Sequence, residues 1–304
     1  MTVNPASYRA VFFDLDGTLL PMDLDEFMNA YFKAIGSFVA RKGLDAAAFS
    51  AGLKAGTAAM AENDGTRTNA EAYWEAFFRC VEGDEGVWRE ALDEFYEAEF
   101  GDIGKTVTPN PFAARAVEAL VAKGYPVVLA TMPMFPRRAV EWRLSWAGVD
   151  PRLFSRLTTF ENSTSVKPKQ AYCAEVVAAC GVRGEDVLMV GNNTVEDLCF
   201  AGVGCDAYLI TDHLLDPVSL DLSQVKHSSM EEFCAWVEGL GPCSNPARGI
   251  ERGPVDAAKV AAVLERDLVV SAARQKADLE AAWSANDEVM KKARDAAHGE
   301  EGLR

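Results

Sequence analysis

Asp14 and Asp16 stand one residue apart at the end of the apolar run VFF, and Gly17 and Thr18 follow them. In an extended chain residues i and i+2 point the same way, so the two carboxylates share one side. At that spacing they repel each other, and a cation or a shared proton would relieve the repulsion. Mg²⁺, a hard ion that prefers oxygen ligands, is the natural partner. Gly17 lets the chain turn away. The plainer reading is a pair of solvated turn aspartates capping the next element, so other groups must decide.

Three further groups follow in order. Thr131 ends the run YPVVLAT, Lys167 lies in SVKPKQ just before a helical segment, and DVLMVG runs into GNNTVED, with Glu196 and Asp197. Taken singly, the threonine reads as a helix cap, the lysine as a surface residue and the acidic pair as charges at a helix start. Taken together at strand ends, a carboxylate nucleophile, a hydroxyl, a lysine and a second acidic cluster make a phosphate-and-metal site.

The elements that must position these groups are short apolar strands at 9–14, 125–131, 156–160, 186–191 and 205–210. Helical segments at 112–124 and 169–181 lie between them, each ending at a glycine, a common helix stop. Such alternation predicts a parallel sheet covered on both faces, and open sheets of this kind bind ligands at the carboxyl ends of their strands. The connection between the first two strands is far longer than a crossover requires. Its Leu24, Phe27, Met28, Tyr31, Phe32, Ile35, Phe38 and Val39 fall on one helical stripe, and Thr68 with Glu71 forms a capping box. Residues 21–109 therefore read as a separate helical lobe, with its aromatic stripes assigned to a core. Residues 1–20 and 110–240 form the α/β core. Residues 241–304 read as a Gly/Pro-rich linker and a helical extension that could dock through Leu264, Leu268, Leu279 and Trp283, and truncation after residue 245 is expected to leave a folded core.

Composition narrows the partners. The formal net charge is −16, which disfavours nucleic acid or an anionic membrane as partner. The N-terminus is too polar for a signal peptide and no run is long and apolar enough to span a bilayer. The seven cysteines (Cys80, Cys173, Cys180, Cys199, Cys205, Cys234 and Cys243) are odd in number and contain no CxxC pair. They read as reduced, mostly buried thiols of a cytoplasmic protein. His213, His227 and His298 are scattered and belong to no motif.

On these residues the chain resembles the haloacid dehalogenase-like (HAD) hydrolase superfamily. DLDGT at 14–18 is similar to its first motif, Thr131 to its second, Lys167 to its third and GNNTVED to its fourth. The resemblance covers about residues 8–232, and the wording of LATMPMFP, TTFENS and GNNTVEDL is similar to a bacterial subgroup whose fourth motif reads GND followed by ED. It implies a Rossmann-like doubly wound core with a helical cap of the first type inserted at 21–109. It further implies a Mg²⁺-dependent phosphatase acting on a small phosphorylated metabolite through an aspartyl-phosphate. Asp14 would be the nucleophile and Asp16 the acid and base. Thr131, the adjoining Met132 and Lys167 would hold the phosphoryl oxygens. Asp14, Asp16, Asn192 and Asp197 would hold the metal. The sequence departs from the family where an aspartate is usual, at Asn192 or Asn193, and loses one negative charge there. A catalytically weak binding or regulatory protein of the same fold is the alternative. A dehalogenase would lack the second aspartate, and a phosphonate hydrolase would need a cap lysine, for which Lys33, Lys42 and Lys54 are candidates.

Overall fold

The computed structural model describes residues 8–268. Six strands, β1 (Ala10–Phe13), β2 (Val127–Leu129), β3 (Phe154–Leu157), β4 (Val187–Gly191), β5 (Asp206–Ile210) and β6 (Lys226–Ser228), form one sheet in the order β3-β2-β1-β4-β5-β6. Every neighbouring pair is parallel. β1 is central because it is apolar on both sides. Val11 and Phe13 enter the core on one face, while Ala10 and Phe12 enter the core on the other. β6 reads KHS and carries no apolar signal, so its place at the edge follows from pairing with β5 and not from its own composition.

Five helices follow β1 within the inserted stretch 21–109: α1 (Leu24–Arg41), α2 (Ala46–Ala61), α3 (Asn69–Phe78), α4 (Glu85–Glu94) and α5 (Phe100–Ile103). Their starts are written locally. Asp23, Asp45 and Asp84 each accept a hydrogen bond from a first-turn N–H, and Thr68 with Glu71 closes the expected capping box. The helix of α4 runs on through a π-type turn at Phe95–Glu99 into α5, past Gly101. The remaining helices are α6 (Pro111–Ala122), α7 (Arg137–Trp146), α8 (Gln170–Cys180), α9 (Met230–Glu238) and α10 (Ala257–Asp267).

The helical lobe does not have a core of its own. Phe27, Tyr31 and Phe100 of the lobe belong to the same buried cluster as Trp146 of the sheet-bearing part, with Phe135 packed against it, and the Phe100 and Trp146 rings stack at 5.3 Å. Backbone and side-chain hydrogen bonds reinforce the seam. Asn69 N–H donates to Ser163 O at 2.7 Å, Trp142 Nε1 to Tyr96 O at 3.0 Å and Trp146 Nε1 to Gly101 O at 3.2 Å. α7, which the sequence reading did not single out, supplies both tryptophans.

The stretch after residue 240 is not a free linker. Cys243 N–H donates to Lys123 O, Ala247 N–H to Arg9 O and Glu251 N–H to Ala179 O, at 2.8–2.9 Å. The buried Arg156 guanidinium donates to Glu251 O (2.6 Å), Gly253 O (2.8 Å) and Asn162 O (2.9 Å). A buried cation needs such acceptors, so this strap completes the core. α10 then lies on α8, with Val255 and Val263 buried and Leu264 packed beside them. Leu268 is exposed, whereas Leu279, Trp283 and His298 lie outside the described residues.

Candidate active site

Parallel register brings three strand ends together. Phe13 pairs with Leu129 on one side and Val190 on the other, so Asp14, Thr131 and the 192–197 loop leave the sheet side by side at its carboxyl edge. This is the point where the connections diverge to either side of β1, the place where open sheets of this class bind ligands.

Asp14 is buried, and its Oδ1 lies 2.7 Å from Lys167 Nζ. Lys167 Nζ is also 2.6 Å from Asp197 Oδ1. The other oxygen of Asp197 accepts from the backbone N–H groups of Asn192 and Asn193, at 2.8 and 2.9 Å. Gly191 leaves room for this, since a Cβ there would lie 2.1 Å from Asp197 Oδ2. The sequence gives Asp197 to the metal; in the folded chain one of its oxygens meets Lys167 and the other the loop backbone. Burial would strip the Lys167 proton, yet the two carboxylates hold its ammonium well above the ordinary range. For Asp14 burial dominates and pushes the carboxyl up to about 8. Lys167 opposes that push, while Asp197 and Asp16 add to it.

Asp16 faces the same cleft. One of its oxygens, Oδ2, accepts from Arg143 Nη1 of α7, and Oδ1 is buried with no partner. Burial raises its carboxyl, against the pull of Arg143 and Lys167. Arg143 is itself buried and lies over the Phe135 ring, 4.7 Å from its centroid. It stands 127 residues from Asp16 on a helix whose apolar pattern hides it, so no sequence signal pointed to it. The Thr131 hydroxyl is likewise buried with no partner. The neighbouring backbone is well satisfied, because Thr131 O accepts from Thr158 Oγ1 and Tyr172 OH at 3.0 and 2.7 Å. Met132 lines the cleft beside it.

The two asparagines have different surroundings. Asn192 Oδ1 accepts from Thr18 Oγ1 at 3.2 Å, while Asp14 Oδ2 is 3.5 Å from the same hydroxyl. Asn192 Nδ2 donates to His213 O at 2.6 Å. Gly17 has φ +79°, and a Cβ there would lie 2.2 Å from Asn192 Nδ2, so only glycine admits this approach. Asn193 Oδ1 instead accepts from the N–H groups of Val195 and Glu196 at 2.9 and 3.1 Å and closes the turn. Glu196 is half-buried on the cleft wall, with its carboxyl pushed up to about 7, chiefly by burial.

Asp14, Asp16, Thr131, Asn192, Asn193 and Glu196 form the floor of a cleft of about 640 Å³ whose roof is the helical lobe. Part of the α1 stripe, including Leu24, Phe27, Met28, Tyr31 and Phe32, lines that cleft as well as packing the lobe, so the assignment of the stripe to core alone is incomplete. Lys33, Lys42 and Lys54 are exposed and do not line it.

A fold of parallel strands with carboxylates, a hydroxyl and a lysine gathered at the carboxyl edge defines an α/β hydrolytic site. The chain belongs to the haloacid dehalogenase-like hydrolases, whose family model matches residues 8–201. Comparison with curated proteins gives no match. Similar solved structures include a predicted phosphoglycolate phosphatase from Haemophilus somnus 129pt (17% identity, TM-score 0.47, covering 76% of this chain and 98% of that one). An L-2-haloacid dehalogenase (16%, 0.46, 77% and 100%) and a HAD phosphatase from Thermococcus onnurineus (16%, 0.46, 77% and 99%) are similar to the same extent.

Proposed function

We propose that this hydrolase is a phosphomonoesterase that uses Asp14 as nucleophile on a small phosphorylated molecule. The observation that carries the reading is the partnerless, buried hydroxyl of Thr131, which lines the same cleft as Asp14, the carboxylate that Lys167 pairs. Buried polar groups are rarely left without a partner, and a phosphoryl oxygen held between that hydroxyl and the Lys167 ammonium would satisfy both. Asp14 attacks phosphorus as the ester P–O bond breaks, and the leaving alkoxide takes a proton from Asp16. Water then gives a proton back to Asp16 and attacks phosphorus, releasing phosphate and the Asp14 carboxylate. Asp197 acts through Lys167, holding its ammonium toward Asp14 and the phosphoryl oxygens.

The oxygens on this floor fit a hard divalent ion. Asp14 Oδ2 and Asn192 Oδ1 both approach Thr18 Oγ1, and Asp16 and Glu196 line the same cleft. Among the described residues no group of three His, Cys, Asp or Glu forms a complete cage. Mg²⁺ keeps waters and shares substrate phosphate, so it would need only a few of these protein oxygens. Bound there, Mg²⁺ would offset the repulsion between Asp14 and an anionic phosphate.

The test is phosphate release from 4-nitrophenyl phosphate. Wild type should turn over with Mg²⁺ and stop when the ion is chelated. Asp14→Asn should lose more than about 1000-fold in rate while keeping the wild-type circular dichroism spectrum. Wild-type turnover by that variant would overturn the covalent reading.

A further inference from the structure

The cleft roof narrows the class of substrate, provided the phosphomonoesterase reading holds. We propose that the alcohol portion of the ester is an aromatic or branched aliphatic body carrying no second anionic group. Three observations lead there. The first is charge. Arg143 is the only arginine or lysine lining the cleft among the described residues; its Nη1 bonds Asp16 and its Nε and Nη2 are buried, while the Lys167 ammonium beside the floor is held by Asp14 and Asp197. The lobe contributes Asp23 and Asp93 instead, which repel a second phosphate or carboxylate.

The second is hydrogen-bonding capacity. The Tyr31 and Tyr96 hydroxyls bond to each other at 2.9 Å, which takes up one of their two protons and leaves them less to offer sugar hydroxyls. Their neighbours on the roof include Phe27, Leu53, Met60 and Leu92. A polyol pressed against such a surface leaves hydroxyls unpaired, which is costly. An aromatic or aliphatic body has nothing to leave unpaired and removes apolar surface from water.

The third is the rim. Leu24 is 49% exposed, Phe32 48% and Leu215 45%, and all three line this one cleft. They are half of the six large apolar side chains that stand exposed among the described residues. Single exposed apolar residues are ordinary, but a cluster around one opening marks a binding surface. Leu24 and Phe32 come from α1. Leu215 comes from the β5–β6 connection and is fixed there by its N–H donating to Asn192 O at 2.8 Å. The rim thus joins the lobe to the floor on which the phosphate would sit, and an apolar body can span from one to the other.

The experiment compares esters of primary alcohols, so that leaving-group acidity is matched. With full-length protein and Mg²⁺, kcat/KM for 2-phenylethyl phosphate should exceed that for glucose 6-phosphate and for 3-phosphoglycerate by about 10-fold or more, the scale on which apolar pockets discriminate. Equal or better turnover of either polar ester overturns the proposal and leaves the phosphatase reading standing. No release from any ester, 4-nitrophenyl phosphate included, overturns both. Phe32→Ser, at an exposed position that bears little on folding, should raise KM for 2-phenylethyl phosphate several-fold and shrink its advantage over glucose 6-phosphate. An unchanged ratio counts against the rim.

Discussion

Arg143 is the residue that most changes how the first aspartate pair is understood. Asp16 is half-open to the cleft, and a carboxylate that must deliver a proton to a leaving alcohol has to be held within reach of it. Arg143 holds one of its oxygens, is fixed over Phe135, and leaves Oδ1 without a partner. It is a positioning residue. Replacing it, Arg143→Met, should lower kcat for alkyl phosphates by roughly 10-fold or more, a part of the 100- to 10,000-fold that general acid–base groups contribute. The loss should be much smaller for 4-nitrophenyl phosphate, whose leaving group needs no proton, and KM should barely move. Equal losses on both esters would show instead that Arg143 supports the fold and not the proton transfer. Melting curves of the same variant separate the two effects.

At the scale of elements, α8 carries an unusual load. It is buried on nearly every side, sandwiched between the sheet and α10, and it also follows the loop that delivers Lys167. Its Glu175 is buried, and its two oxygens accept from Thr164 N–H at 3.1 Å. Burial pushes this carboxyl up from 4.5 to about 7, against the opposing Thr164 bond and the Arg156 charge. A carboxyl raised in the folded state binds its proton more tightly there than in the unfolded chain. The stability it confers is therefore complete below pH 4.5 and falls away as pH rises to about 7. Glu175→Gln keeps an acceptor for Thr164 without the titration, so its melting temperature should vary less with pH between 5 and 8 than that of wild type. Parallel curves for the two proteins would contradict the assignment.

For the whole molecule the C-terminal strap matters more than its Gly/Pro-rich composition suggests. Ending the chain after residue 245 removes two of the three carbonyls that hold the Arg156 guanidinium and one that holds Asn162. Hydrogen bonds to a charged group are each worth about 1.5–3 kcal/mol. The truncated protein should therefore melt roughly 10 °C lower, since 1 kcal/mol shifts a domain of this size by a few degrees. A melting temperature within a degree or two of wild type would mean that Arg156 finds other acceptors. The continuous core that runs from the lobe into the sheet points the same way, because the molecule is stabilised across its seams as well as within its parts.

The chain's own pattern determined the sheet strands that begin and flank the site, the inserted helices and the order of Asp14, Asp16, Thr131, Lys167 and the GNNTVED loop. Those signals are local: apolar runs, caps and short motifs are written in neighbouring residues. It left open which asparagine looks inward. Only the fold separates Asn192, which reaches Thr18, from Asn193, which closes a turn, because one residue of backbone direction decides it. Only the fold pairs Asp197 with Lys167, brings Arg143 to Asp16 and turns the α1 stripe into a cleft wall. These are long-range contacts between elements that are far apart in sequence. No spacing along the chain encodes them, since they depend on how helices and strands pack in three dimensions.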